Sequence, residues 1–139
     1  MNTKSINEIE EEIVSEFEMF DSWMDKYEYI IELGKSLPLI EEKYKTEDHK
    51  VSGCQSQVWL KANKEGDRVL YKADSDAIIT KGLIGLLIRV LSNQKPEDII
   101  NAKLEFIDKI GMKEHLSPNR SNGFQAMINH MKSFARAYI

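Results

Sequence analysis

One cysteine, Cys54, stands among the 139 residues, in the stretch Val51-Ser52-Gly53-Cys54-Gln55-Ser56-Gln57-Val58. Its thiolate is a nucleophile. A single cysteine excludes an internal disulfide, a Cys-rich zinc site, a self-held iron–sulfur cluster and a CxxC redox pair. Cysteine-protease chemistry needs a histidine base within hydrogen-bond reach of the thiol. The nearest in sequence, His49, sits in a charged segment, and nothing aims it at Cys54. His49, His115 and His130 are not spaced as ligand pairs on one helix, so no metal site is expected. Gly53 permits unusual backbone angles and close approach of a partner, and Gln55, Ser56 and Gln57 are not core neighbours. The stretch therefore reads as a loop that presents its thiol. The bland alternative is a small buried hydrophobe, and the local sequence leaves both readings open. If Cys54 is functional, a covalent carrier fits better than a self-sufficient enzyme, because a carrier needs only a thiol and a docking surface.

Two other polar clusters invite a role. Asp74-Ser75-Asp76 reads first as an N-cap that compensates a helix dipole. It would also help hold the cysteine loop, since a hairpin returns Ala73 beside Val58. Ser117-Pro118-Asn119-Arg120-Ser121 reads as the start of a helix with an exposed arginine, or as a turn whose arginine pins loop carbonyls. The acidic run Glu8–Glu16 reads as a solvated helix face. His115 and His130 read as ordinary loop and helix-face residues, and Trp59 as a sheet residue covering the core.

The elements that position these groups follow from periodicity. Ser5 and Glu8 form a capping box, with Ile6, Ile9, Ile13, Phe17 and Phe20 as one helical stripe behind it. Asp21 and Ser22 cap a second helix through Trp23, Tyr27, Ile30, Ile31 and Leu33, with Gly34 as its C-terminal stop. Glu41 to Lys50 is charged and irregular, with room for one helical turn, and Val51 ends a short strand. Val58–Asn63 and Arg68–Ala73 alternate as two strands of a hairpin around Lys64-Glu65-Gly66-Asp67. A third helix, Ala77–Leu91, is apolar nearly all round and so central; Gly82 and Gly85 permit close packing there. Pro96 starts a short helix. Leu104, Phe106, Ile107 and Ile110 make another, stopped by Gly111. A final helix carries Phe124, Met127, Ile128, Met131, Phe134 and Tyr138. The fold class is α+β, with helices packed on a small antiparallel sheet.

Composition bounds the rest. Apolar residues make up 42% and charged residues 30%, so 1–139 reads as a single globular domain. A formal charge of −4 argues against a nucleic-acid partner. The N-terminus MNTKSINEIEEEI has no apolar core of a secretory signal. The longest apolar run, Gly82–Ile88, is far short of a membrane span. The expectation is a soluble, cytoplasmic protein in a reducing compartment.

The stretch Gly53-Cys54-Gln55-Ser56-Gln57-Val58-Trp59 resembles the signature of the SufE family of sulfur acceptors. Asp74–Gly85 (DSDAIITKGLIG) resembles the family's helix after the hairpin, and His115–Ile128 (HLSPNRSNGFQAMI) its final motif. Lys26–Pro38 (KYEYIIELGKSLP) is also typical, so the resemblance covers nearly the whole chain. It implies helices around a three-stranded antiparallel sheet, like that of the iron–sulfur scaffold proteins. It implies a pyridoxal-phosphate cysteine desulfurase of the SufS type as partner, which holds sulfur as a persulfide. The family's acceptor cysteine takes that sulfur, stimulates the desulfurase and passes sulfur to the SufBCD cluster-assembly complex. The acceptor role carries over to Cys54. Asp76 and Arg120 match motif positions and stand with Gly53, Gln55 and Ser56 as loop-positioning or interface residues. No cofactor is implied. Lys45 departs from the arginine common in the family, which puts a specific role for it in doubt. The alternatives are a paralogue of the CsdE type serving another desulfurase, and an adaptor that regulates a desulfurase without taking sulfur. Sulfur transfer requires more thiolate than a free cysteine supplies at neutral pH. Activation is expected from the partner or from loop N–H groups, and the resting loop is expected to tuck Cys54 against apolar residues.

Overall fold

Ser5 opens helix α1 (Ile6–Glu18): its Oγ accepts from the Glu8 N–H while the Glu8 carboxylate accepts from the Ser5 N–H, closing the expected capping box. The computed structural model describes residues 4–139. The first three residues of the polar N-terminal stretch, and of the expected 1–139 domain, lie outside the described residues. Helix α2 (Trp23–Lys35) starts at Ser22, whose Oγ accepts from the Asp25 N–H. The central helix α3 (Ile78–Leu91) is buried on nearly every face.

Helices α2 and α3 approach through glycines. A Cβ built on Gly82 would lie 2.2 Å from the Ile30 carbonyl oxygen, and one on Gly34 would lie 2.9 Å from the Gly82 nitrogen. Gly34 is therefore not a helix stop; it is buried inside α2, which is capped at Ser36. A glycine near a helix end carries the same local signal whether it caps or packs. Arg89 on α3 ties α1 to this pair by a two-point bond to Glu16, at 2.7 and 2.6 Å, with Glu12 at 3.7 Å. Glu10, also on α1, accepts the Phe106 N–H. The acidic run is thus only partly a solvated face.

Strands β1 (Val58–Glu65) and β2 (Arg68–Ser75) pair antiparallel, from Val58 opposite Ser75 to Glu65 opposite Arg68. The turn between them is the pair Gly66-Asp67, with Gly66 at φ +62°. Val58, Leu60, Val69, Tyr71 and Ala73 face the core. The Tyr71 hydroxyl donates to the Met131 carbonyl of the last helix, α7 (Pro118–Arg136), at 2.6 Å. Burial pushes that phenol above its ordinary pKa.

Among the described residues the expected three-stranded sheet is not formed: the sheet has two strands, flanked by single bridges at Leu39–Ala73, Lys50–Trp59 and Val69–Gln94. Pro38 has no N–H to extend the first bridge. Beyond it the chain turns into two 3-10 turns, Glu42–Tyr44 and Glu47–His49. These turns cover the outer face of the hairpin. Lys61 lies 3.6 Å from the Tyr44 ring centre, and Lys72 bonds Glu41 at 3.1 Å. Trp59 belongs to this outer face, 5.6 Å from Lys45, and does not cover the core. The two-residue alternation puts it opposite Val58 and Leu60.

After α3 the chain is broken into short pieces: α4 (Pro96–Asn101), α5 (Phe106–Lys109) and α6 (Met112–His115). Leu104 has φ +55° and so stands outside the helix expected through it. Gly111 at φ +79° separates α5 from α6. No described helix is long and apolar enough to cross a membrane.

Candidate functional site: a sheltered thiol between the hairpin and the last helix

The segment that carries Cys54 leaves and rejoins the fold at one place. The Val51 N–H donates to the Val58 carbonyl at 2.8 Å, so residues 52–57 form a loop closed at its base. Asp76 clamps the returning end twice. Its carboxylate accepts the Gln57 N–H at 3.0 Å, and its own N–H donates to the Gln57 carbonyl at 3.2 Å. The expected N-cap reading of Asp74-Ser75-Asp76 is therefore wrong. Asp74 and Ser75 finish β2, and Ala77 is the N-cap of α3, with no side-chain cap. The strand ladder and the loop contacts use groups that a cap would need.

Asp74 instead takes Lys45 at 2.7 Å and Lys81 at 3.2 Å, and accepts the Ser75 N–H at 2.8 Å. Burial opposes its ionisation, but these bonds outweigh it and hold the carboxyl below its usual range. Lys45, whose role the sequence left in doubt, also bonds Glu42 at 2.7 Å. Its bond to Asp74, and then that to Glu42, raise its pKa. A lysine thus joins the covering turns to the hairpin here without an arginine's fork.

Gly53 turns the loop at φ +92°, and its Cα backs onto Ala126 of α7, where an added Cβ would lie 3.2 Å from the alanine methyl. The next residue is thereby turned inward. Cys54 is half-buried, and its Sγ donates to the Gly123 carbonyl of α7 at 3.5 Å. Gly123 leaves room for it: a Cβ there would lie 3.4 Å from the sulfur. Burial pushes the thiol pKa up. A carbonyl partner adds to this, because it accepts from S–H and repels a thiolate.

The thiol borders a pocket of about 260 Å³ between the loop, the start of α3 and the start of α7. Ile79, Leu83 and Met127 give it apolar walls, and Gln55, Ser56 and Arg120 also line it. The resting loop thus holds Cys54 against apolar residues, and the loop N–H groups do not reach the sulfur. Among the described residues the sole hydrogen-bond partner of Sγ is a carbonyl.

Arg120 is exposed at the rim of this pocket, but it pins no loop carbonyl. Its Nη1 donates to the Tyr27 hydroxyl at 2.9 Å. No histidine lines the pocket. His49 bonds Thr46, and His115 stacks on Trp23 at 4.3 Å. Among the described residues no cluster of three or more His, Cys, Asp or Glu could hold a metal ion. Sequence reading missed Tyr27 and Gly123. A glycine two turns into a capped helix was the signal for Gly123, since such a residue costs helix stability unless something approaches it. Tyr27 had no local signal.

These features define a class of protein: an α+β domain that offers one sheltered thiol beside a small, mixed pocket. The chain belongs to the SufE family, described as the Fe-S metabolism associated domain, which matches residues 11–135. An uncharacterised SufE-like protein of Rhizobium meliloti (strain 1021) is 39% identical over 130 residues, covering 90% of this chain and 93% of that one. SufE-like protein 1 (chloroplastic/mitochondrial) of Arabidopsis thaliana is 38% identical over 126 residues, which is 90% of this chain and 34% of the plant protein. The solution structure of a hypothetical protein from Thermus thermophilus superposes with a TM-score of 0.77, over 94% of this chain and 95% of that one. At 20% identity it speaks for the fold alone.

Proposed function

We propose that this protein accepts sulfur on Cys54 from the persulfide of a SufS-type cysteine desulfurase, stimulates that enzyme, and passes the sulfur on to a SufBCD-type assembly complex. The observation that carries the reading is the seat of Cys54: the chain's one thiol, on a loop closed at its base, turned inward by Gly53 onto a helix carbonyl. A thiol kept only as a core hydrophobe has no need of a clamped loop or a pocket.

In the transfer step Cys54 loses its proton, and the thiolate attacks the terminal sulfur of the donor persulfide. One S–S bond forms on Cys54 as the donor S–S bond breaks. The donor cysteine leaves with the electron pair as a thiolate, so no external oxidant or reductant is required. In the resting seat the thiol is a poor nucleophile, for burial and the Gly123 carbonyl both favour S–H. Docking must therefore draw Sγ away from Gly123 and supply what stabilises the thiolate. This arrangement keeps the empty carrier from reacting with adventitious oxidants and disulfides and lets the right partner switch it on. Gly53, Gln55, Ser56 and Asp76 hold the loop or meet the partner.

The test is an intact-mass spectrum of the protein mixed with a SufS-type desulfurase and L-cysteine. The reading expects added sulfur that reductant removes, with faster cysteine turnover, and loss of both in Cys54→Ser. Stimulation that survives in Cys54→Ser would replace the carrier by an adaptor.

A further inference from the structure

The seat that suits the empty thiol does not suit the loaded one. This inference rests on the reading of Cys54 as a sulfur carrier. The terminal S–H of a persulfide is more acidic than a thiol, because the adjacent sulfur withdraws electron density. Loaded Cys54 therefore releases its proton to solvent and becomes S–S⁻. That anion would face the Gly123 carbonyl oxygen, 3.5 Å from Sγ, and the apolar walls of Ile79, Leu83 and Met127. An unpaired anion in such surroundings is costly.

The pocket offers neutral donors at Gln55, Ser56, Thr80, Ser117 and Asn119, and one charged remedy. The loop and α3 contribute no cationic or acidic side chain to its lining, and the start of α7 contributes one cation, Arg120. The nearby Asp76 carboxylate is taken by the Gln57 N–H and does not line the pocket. Arg120 uses Nη1 on the Tyr27 hydroxyl at 2.9 Å, and its ring-facing contact with Tyr27 is 6.0 Å to the centroid. Among the described residues its other N–H groups have no side-chain or carbonyl partner, so they remain for a ligand. Tyr27 is itself held. It packs on Trp23 at 5.5 Å, and Trp23 stacks on His115 at 4.3 Å.

We propose that Arg120, positioned at the rim by Tyr27, is the counter-ion of the loaded Cys54 persulfide, and that loading moves the sulfur from the Gly123 carbonyl toward this guanidinium. Tyr27 is a positioning residue, for it acts through Arg120. Loaded and empty carriers then differ in the direction their loop faces, which gives a delivery partner a means to distinguish them.

The experiment loads Cys54 chemically, without the desulfurase. An aromatic disulfide reagent converts Cys54 to a mixed disulfide. Hydrosulfide then displaces the aromatic thiolate and leaves Cys54–S–S⁻, with one S–S bond formed for each one broken. The alkylation rate of the persulfide is followed by intact mass as a function of pH. Because the chain has one cysteine, every adduct reports that site. Reductant cleaves an alkylated persulfide but not an alkylated thiol, so the two species separate. The apparent pKa of the persulfide is expected to rise by about one pH unit in Arg120→Gln, the low end for a lost opposite charge because Arg120 is exposed. Arg120→Lys should keep most of the wild-type value, which separates charge from damage to the fold. Tyr27→Phe should give a smaller rise, and no further rise in the Arg120→Gln background. An unchanged pKa in Arg120→Gln overturns the counter-ion, and additive effects of the two variants overturn the positioning role. Failure of the carrier reading would show elsewhere, as no sulfur gained from the desulfurase.

Discussion

Replacing Gly53 by alanine should open the cysteine loop while leaving the rest of the fold in place. At φ +92° the backbone is in the region that an L side chain enters only at a cost of roughly 1–2 kcal/mol. The new methyl would also lie 3.2 Å from the Ala126 methyl, so one of the two must yield by a few tenths of an ångström. In the tucked loop the strain is unavoidable. In a released loop residue 53 is free to rotate, and the strain vanishes. Releasing the loop costs the Cys54–Gly123 contact and leaves the ladder of β1 and β2 intact. The substitution therefore shifts the local opening equilibrium by about 1–2 kcal/mol, a factor of about 5–30. The assay is the rate at which a small neutral alkylating reagent modifies Cys54 at fixed pH. The rate should rise by a factor in that range, while global stability falls by no more than the same amount, about 1–2 kcal/mol, because the strained closed loop belongs to the native state. An unchanged rate would refute the reasoning. It would mean that alkylation of Cys54 does not pass through release of this loop.

Two further outcomes test the frame around the site. Gly82→Ala should cost about 3 kcal/mol or more, because its methyl would meet the Ile30 carbonyl oxygen at 2.2 Å and force α2 away from α3. Gly85→Ala, one turn on, meets nothing closer than the Leu33 oxygen at 3.3 Å, and a gain in helix propensity of about 1 kcal/mol offsets the contact. Denaturant curves of the two variants should differ accordingly. Glu16→Gln should lower stability at neutral pH by about 1 kcal/mol, the figure for a charged bond discounted for its partial exposure. The bonds from Arg89 outweigh burial and depress the Glu16 carboxyl, so its contribution is complete above the ordinary carboxylate range and fades as the pH falls through the depressed value. Thermal melts of wild type and Glu16→Gln should therefore converge in acid, and a gap that persists there would contradict the assignment.

The local sequence was enough for the capping box at Ser5, the Ser22 cap, the entry into the last helix near Ser117-Pro118, the hairpin register face and the buried character of α3. Each of these depends on residues within a few positions of one another, and their side-chain chemistry and periodicity act over that range. The same is true of the singular thiol and the glycine before it. What the seat of Cys54 is made of could not be read that way. Gln57 meets Asp76 across 19 residues, Cys54 meets Gly123 across 69, and Arg120 meets Tyr27 across 93. The third strand fails for a related reason: Lys50 and Leu39, the residue after Pro38, each reach the sheet, but only through single bridges. Gly34 shows the limit most plainly. A residue without a side chain serves equally to end a helix or to admit a neighbour, and only the arrival of Gly82 against it decides which. Local patterns thus determined most of the elements and singled out the thiol proposed to react; the packing of distant segments decided that this sulfur rests against a carbonyl, where its proton is held.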